Sequence, residues 1–336
     1  MNKRGFTIVE LIVTLFIMMV LMGAVYFTYI KLLKGFKSES SKVETQIEKL
    51  VGVELIRLDL EHIGYGIAED ETSLIINWNS NNKTLTLRST INNTRKETLG
   101  WFYVDCTGGT GCNATISSLP VKGQSYYVCF MDAIDKMSRG KGIVNVDQSG
   151  GLSFSSTPSG GSGKYIGFPV TEEVYNNIAN GCNVGYCNIV QFALSNSNLP
   201  NYCNVNTYNL LRRVGAQAIN ESGGNPLINC VADYTVTFDL DTDGDGTVDQ
   251  HGYSLPAVDK NGNGIDNDEI RTQLKRINFY ILIQEGLKNP KYNFSNVKSC
   301  GADICINGID VDLVLPDNYQ YYNWKAIKIS AKPMDL

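Results

Sequence analysis

The 336-residue chain has only two histidines, His62 and His251, and no Ser or Cys motif surrounds either one. Catalysis by a Ser/His/Asp or Cys/His arrangement has little to build on, so the sequence reads as a non-enzyme. Charged residues make up 19% of the chain and sum to −5. That balance argues against nucleic-acid binding as the main task, which needs a concentrated basic face. None of the nine cysteines stands in a CxxC spacing, which argues against a zinc ribbon or a thioredoxin-like redox site. CxxCH is absent too, which excludes c-type haem attachment as a motif. The Gly- and Ser-rich stretch from Ser149 to Lys164 is a low-complexity loop with a superficial likeness to a phosphate-binding loop. Pro158 stands where that motif needs Gly, and Tyr165 where it needs Ser or Thr.

The cysteines fall largely in close sets, Cys106/Cys112, Cys182/Cys187 and Cys300/Cys305. Disulfides in an oxidising compartment are the better reading of so many thiols. The expected pairing is local within each set, with Cys203 joined to Cys230 and Cys129 left over.

Charge is missing most conspicuously between Leu11 and Ile30, a run of 20 residues with no Asp, Glu, Lys or Arg. As a helix it spans about 30 Å, the thickness of a bilayer core. Lys3 and Arg4 precede it and favour a cytoplasmic N-terminus, while Lys31, Lys34 and Lys37 follow and weaken the asymmetry. A cleaved secretory signal would have a shorter apolar core ending in small residues of the A-x-A kind, and Gly23-Ala24-Val25 is a poor substitute. An ordinary signal anchor leaves Glu10 unexplained. A carboxylate at the centre of a membrane helix costs about 2.5–3.5 kcal/mol on insertion scales, less near an interface, and such a residue marks a site with a partner.

Gly5-Phe6, with Glu10 four residues later, resembles the signal of type IV prepilins, GFTxxE. The resemblance implies cleavage by a prepilin peptidase between Gly5 and Phe6, followed by N-methylation of Phe6. Residues 1–5 would be a leader, and loss of Lys3 and Arg4 would take the net charge from −5 to −7. Glu10 would then face the Phe6 amine of an adjacent subunit.

The helical pattern continues past the span, with Val43, Ile47, Val51, Leu55 and Leu58 at spacings of three and four and only Gly52 interrupting. Gly64 and Gly66 end it. The expected element is one helix over 6–63, membrane-spanning at about 9–30. Beyond it, residues 64–336 read as an exported β-rich domain. Thr84 to Arg88, Trp101 to Val104, Tyr126 to Met131, Ile189 to Leu194, Tyr234 to Leu240, Ile277 to Gln284 and Lys325 to Ala331 are β-branched, aromatic or alternating runs. The fold class is α+β, a long N-terminal pilin helix followed by a large antiparallel β-rich domain, the pilin lollipop.

Leu58 to Gly66, Leu210 to Gln217 and Pro226 to Asp249 resemble segments of PilW-type minor pilins, as do the INFYILIQ run and the closing YNWKAIKISAK. Asn82 to Asn209 has no such counterpart. The resemblance implies a structural protein that helps prime a type IV pilus in the inner membrane and remains near its tip. Its partners would be other minor pilins, the major pilin and a large tip adhesin. The globular domain would lie in the periplasm and then at the cell surface. Two rivals remain open: a pseudopilin of a type II secretion system, and a membrane-tethered calcium-dependent adhesin outside any filament.

Asp241, Asp243, Asp245, Gly246 and Asp249 reproduce D-x-D-x-D-G-x-x-D, with Asp239 offering a second register. Alternating carboxylates on a tight turn converge on one point and suit Ca²⁺ with its six to eight oxygen ligands. Gly252 stands where an EF-hand places a bidentate Glu. A second loop follows with Asp259, Asn261, Asn263, Gly264, Asp266, Asp268 and Glu269, less charged at its ligand positions. The alternative for both is a solvated acidic turn bonded to its own backbone.

Overall fold

The computed structural model describes residues 8–107, 112–116, 122–176, 187–219 and 223–334, by backbone alone at 34–35, 37–48, 115–116, 216 and 219. Two compact units, Met1–Leu50 and Val51–Leu336, divide the chain.

Helix α1 runs over Ile8–Glu61. Its apolar stretch Ile8–Leu33 has a mean hydropathy of 2.6 and no buried residue in its most apolar window, so length and composition suffice to cross a membrane. The hydroxyls of Thr14 and Thr28 donate to the carbonyls of Leu11 and Ala24, each at 2.9 Å, which answers both polar groups within the helix itself.

In the second unit the end of α1 buries a face different from the one its apolar spacing suggests. Ile56 and Leu60 are fully buried, whereas Val51 is 63% exposed. The buried face is centred on Gly52, where an added Cβ would lie 2.9 Å from both the Leu227 carbonyl oxygen and Ile228 Cγ1. Close approach of the helix to the sheet there needs the missing side chain. After α1, Gly64 and Gly66 take positive φ (79° and 67°), as a chain leaving a helix requires.

The strands that follow are β1 (Ile76–Asn79), β2 (Thr84–Ser89), β3 (Phe102–Asp105), β4 (Asn113–Ile116), β5 (Ser125–Asp132), β6 (Ser138–Val146), β7 (Leu152–Phe154) and β8 (Lys164–Val170). A short helix α2 (Glu172–Asn176) precedes β9 (Asn188–Ser195) and β10 (Tyr208–Val214). Then come α3 (Ala216–Ile219), β11 (Asn225–Leu240), β12 (Gln250–Tyr253), α4 (Asn267–Gln273), β13 (Leu274–Glu285), β14 (Val297–Cys300), β15 (Asp303–Ile306) and β16 (Asn323–Ala331). The stretch expected as a plain loop from Ser149 to Lys164 thus contains the three-residue β7.

Among the described residues, the main sheet has the order β1-β2-β9-β10-β11-β13-β16, with β12 added on β11. All its pairings are antiparallel. Strands β2 and β9 pair directly, from Thr84↔Ala193 to Ser89↔Asn188, although about a hundred residues separate them in sequence. That excursion folds into its own antiparallel sheet, β4-β3-β8-β5-β6-β7, around Phe102, Val104, Tyr126, Phe130 and Tyr165. Strand β13 is buried on both faces, hence its nearly unbroken apolar run. Ile277, Phe279, Ile281 and Ile283 enter the main core with Tyr234, whose ring stacks on Phe279 at 5.0 Å. Tyr280 and Leu282 meet Leu313, Leu315 and Trp324 on the other side.

Two polar features tie α1 into the domain. The Arg212 guanidinium on β10 donates to both Asp59 carboxylate oxygens, Nε to Oδ2 at 2.6 Å and Nη2 to Oδ1 at 2.9 Å, with both residues 5% exposed. Asn93 Nδ2 adds a third bond to Asp59 Oδ1 at 2.8 Å, and Asn93 Oδ1 pairs with His62 Nδ1 at 2.8 Å. Disulfides join Cys106 to Cys112, Cys203 to Cys230 and Cys300 to Cys305. Cys187 is also disulfide-bonded, and its expected partner Cys182 lies outside the described residues. Cys129 is free and buried.

Candidate functional site

Gly5 and Phe6, where cleavage and methylation are expected, lie outside the described residues. Glu10 falls in the first turn of α1 and is exposed, at the head of the apolar stretch. Around it the helix presents Ile8, Val9, Leu11 and Ile12 at 56–78% exposure. So large an apolar surface suits lipid or the apolar faces of like helices, not water.

The first acidic loop joins β11 to β12. It is built by one carboxylate that organises the turn: Asp241 is 1% exposed and accepts from the amides of Gly244 (2.7 Å) and Gly246 (2.9 Å). Gly244 and Gly246 both have positive φ, 81° and 88°, which is why the turn needs glycine at those places. Asp249 closes the loop by accepting from Thr242 N–H at 2.7 Å. One carboxylate oxygen each of Asp241, Asp243 and Asp249 then lie within 4.8 Å of one another.

Other members of the expected set are engaged elsewhere. Asp245 accepts from the amide and hydroxyl of Thr247, at 2.7 and 2.5 Å. Asp239 takes bonds from Asn278 Nδ2 and Gly252 N–H, each at 3.1 Å, and faces His251 and Arg276, so the second register is not assembled. Lys275 on β13 was not anticipated as part of the site, yet its ammonium lies 3.3 Å from Asp241 Oδ2. Only the strand pairing reveals it: Leu274 is opposite Leu240 in register, which brings Lys275 to the mouth of the loop. Burial pushes the Asp241 carboxyl up, but the Gly244 and Gly246 amides and Lys275 outweigh it and hold the group below the usual carboxylate range. Asp245 is held low by the Thr247 hydroxyl and amide.

The second loop repeats the construction. Asp259 accepts from Gly262 N–H at 2.6 Å and Gly264 N–H at 3.0 Å, three and five residues on, the same offsets as from Asp241 in the first loop. Asn261 Oδ1 accepts from Asn263 N–H at 3.1 Å, as Asp243 does from Asp245 N–H at 3.2 Å. Here the closing carboxylate is Glu269, which accepts from Lys260 N–H at 2.8 Å. Asp266 caps α4 instead, accepting from Glu269 N–H at 2.8 Å, and Asp268 is exposed in the first turn of α4.

Residues 1–26 match the family described as the prokaryotic N-terminal methylation motif. No curated protein and no solved structure matches the chain. The chain therefore carries a prepilin-type signal of the type IV pilin and pseudopilin kind, which implies processing by prepilin peptidase and assembly with other pilins. The signal heads an apolar helix that fits membrane anchoring, and it points to a structural role.

Proposed function

We propose that the chain is a minor pilin of a type IV pilus, which takes part in priming assembly in the inner membrane and sits at or near the pilus tip. The methylation motif at the head of an exposed apolar helix carries this reading. The resemblance to PilW-type subunits narrows it. Two of the segments behind that resemblance, Leu58 to Gly66 and Leu210 to Gln217, meet in the fold through the Asp59–Arg212 pair. Glu10 serves as the acidic partner of the Phe6 amine on a neighbouring subunit, because a carboxylate at this depth is tolerated where a cation meets it.

Shearing pili from cells that produce a tagged chain tests the proposal. The chain should appear in the filament fraction at low copy, and Glu10→Ala should leave it processed and membrane-inserted but missing from filaments. A tagged chain absent from the filaments of well-piliated cells overturns the proposal. If its deletion instead blocks protein secretion and leaves piliation intact, the chain is a type II secretion pseudopilin.

A further inference from the structure

The two acidic loops share one backbone design but differ in how their charge is answered. In the first loop Lys275 stands beside Asp241. In the second, among the described residues, no Lys or Arg is ion-paired with Asp259 or Glu269. Glu269 is 8% exposed, and its Oε2 is buried with no hydrogen-bond partner among the described residues. A buried carboxylate oxygen without a donor is rare in folded proteins and calls for an ion or another unseen partner.

The first loop is the guide to where this oxygen lies. Glu269 Oε1 takes the Lys260 amide, as Asp249 Oδ2 takes the Thr242 amide, each at the loop's second residue. In the first loop that bond leaves the closing carboxylate beside the first and third loop residues, Asp241 and Asp243. The corresponding residues in the second loop are Asp259 and Asn261. Their side-chain oxygens each hold backbone amides and retain lone pairs for a further partner.

We infer that the second loop, not the first, is a cation site: Asp259, Asn261, Asn263 and Glu269 bind a divalent, oxygen-preferring ion of the calcium class. Two carboxylates and two amide oxygens supply part of the shell, and backbone carbonyls and water complete it. The cation answers Glu269 Oε2 and joins the loop to the first turn of α4. That helix is a junction. Gln273 clamps Val258 through both its side-chain atoms, and its carbonyl accepts from Asp241 N–H at 2.8 Å. Asn267 holds Glu71, Ser73 and Ile75, and Arg271 donates to the Ile67 carbonyl, so α4 fastens the chain as it leaves α1. Ion binding at the second loop therefore stabilises the entry to the domain. The site does not depend on whether the chain enters a filament.

The test is calcium titration by calorimetry on the full-length protein in detergent micelles, with thermal melts in CaCl₂ and in EGTA. Wild type should bind with a Kd in the region of about 10⁻⁴–10⁻³ M, typical of extracellular modules, and melt higher with calcium. Glu269→Gln keeps an acceptor for Lys260 and should lower the affinity at least about tenfold, since a charged ligand is lost. Asn261→Ala alters an exposed residue and should also weaken binding. Asp243→Asn with Asp249→Asn should leave binding intact. No calcium response in wild type overturns the inference, as does unchanged affinity in Glu269→Gln or Asn261→Ala. Loss of binding only in the Asp243/Asp249 variant would move the site to the first loop and overturn it equally.

Discussion

Removing the Asp59 carboxylate should be among the most damaging single changes in the exported domain. The pair it forms with Arg212 is bidentate and shielded from water, with side chains 2% and 5% exposed. Asp59→Ala strands a guanidinium in the interior and frees Asn93 Nδ2 as well. Breaking a buried pair from one side costs about 3–5 kcal/mol, because the surviving charge keeps its desolvation penalty without its partner. At roughly 2–4 °C per kcal/mol for domains of this general size, the melting temperature should fall by about 6–20 °C. The pair's own net worth is much smaller. Asp59→Leu with Arg212→Met should therefore lose far less than the two single changes together, by about 2 kcal/mol or more. The assay is a double-mutant cycle by urea or thermal unfolding of the full chain in detergent. An Asp59→Ala protein within about 1 kcal/mol of wild type, or strictly additive single changes, would refute the claim that this pair fastens α1 to β10.

Gly52→Leu should destabilise by about 1–3 kcal/mol in the same assay, because its first carbon already meets the Leu227 carbonyl at 2.9 Å. An unchanged midpoint would mean that the helix does not pack there. Replacing Cys203 and Cys230 together by Ser removes a link spanning 27 residues and should cost about 3.5 kcal/mol on the chain-entropy account, seen as a lower midpoint relative to the unreduced parent. Cys129 should resist iodoacetamide at pH 8 in the folded protein and react on unfolding. Burial pushes its thiol up to about 12, so the nucleophilic thiolate is scarce there. Rapid labelling of the native chain would contradict its burial.

The helix and the strands with strong local signals were legible in the sequence because their periodicity is local. Residues 11–30 carry no charge, and the Ile277 to Gln284 run is largely apolar because β13 is covered on both faces. The buried face of the helix end was less visible. The spacing of Val51, Leu55 and Leu58 marks an apolar stripe, but Gly52 and the paired Asp59 lie on the face that packs, and neither residue counts as apolar. The second sheet was illegible as a unit, since nothing in β2 or β9 alone says that they are neighbours across the whole excursion. In the acidic loops the carboxylate spacing was readable, and the partners were not. Lys275 reaches Asp241 only through strand register, and the buried Oε2 of Glu269 depends on how α4 packs. Counting carboxylates favours the first loop; the unanswered Oε2 of Glu269 favours the second.

The central claim is that this chain is processed and assembled as a pilin, and intact-mass analysis of the chain recovered from sheared filaments addresses it most directly. The account predicts a single species lacking Met1 to Gly5 and carrying one methyl group at Phe6. A chain that retains its first five residues, or one cut after Ala24 by signal peptidase, would contradict it.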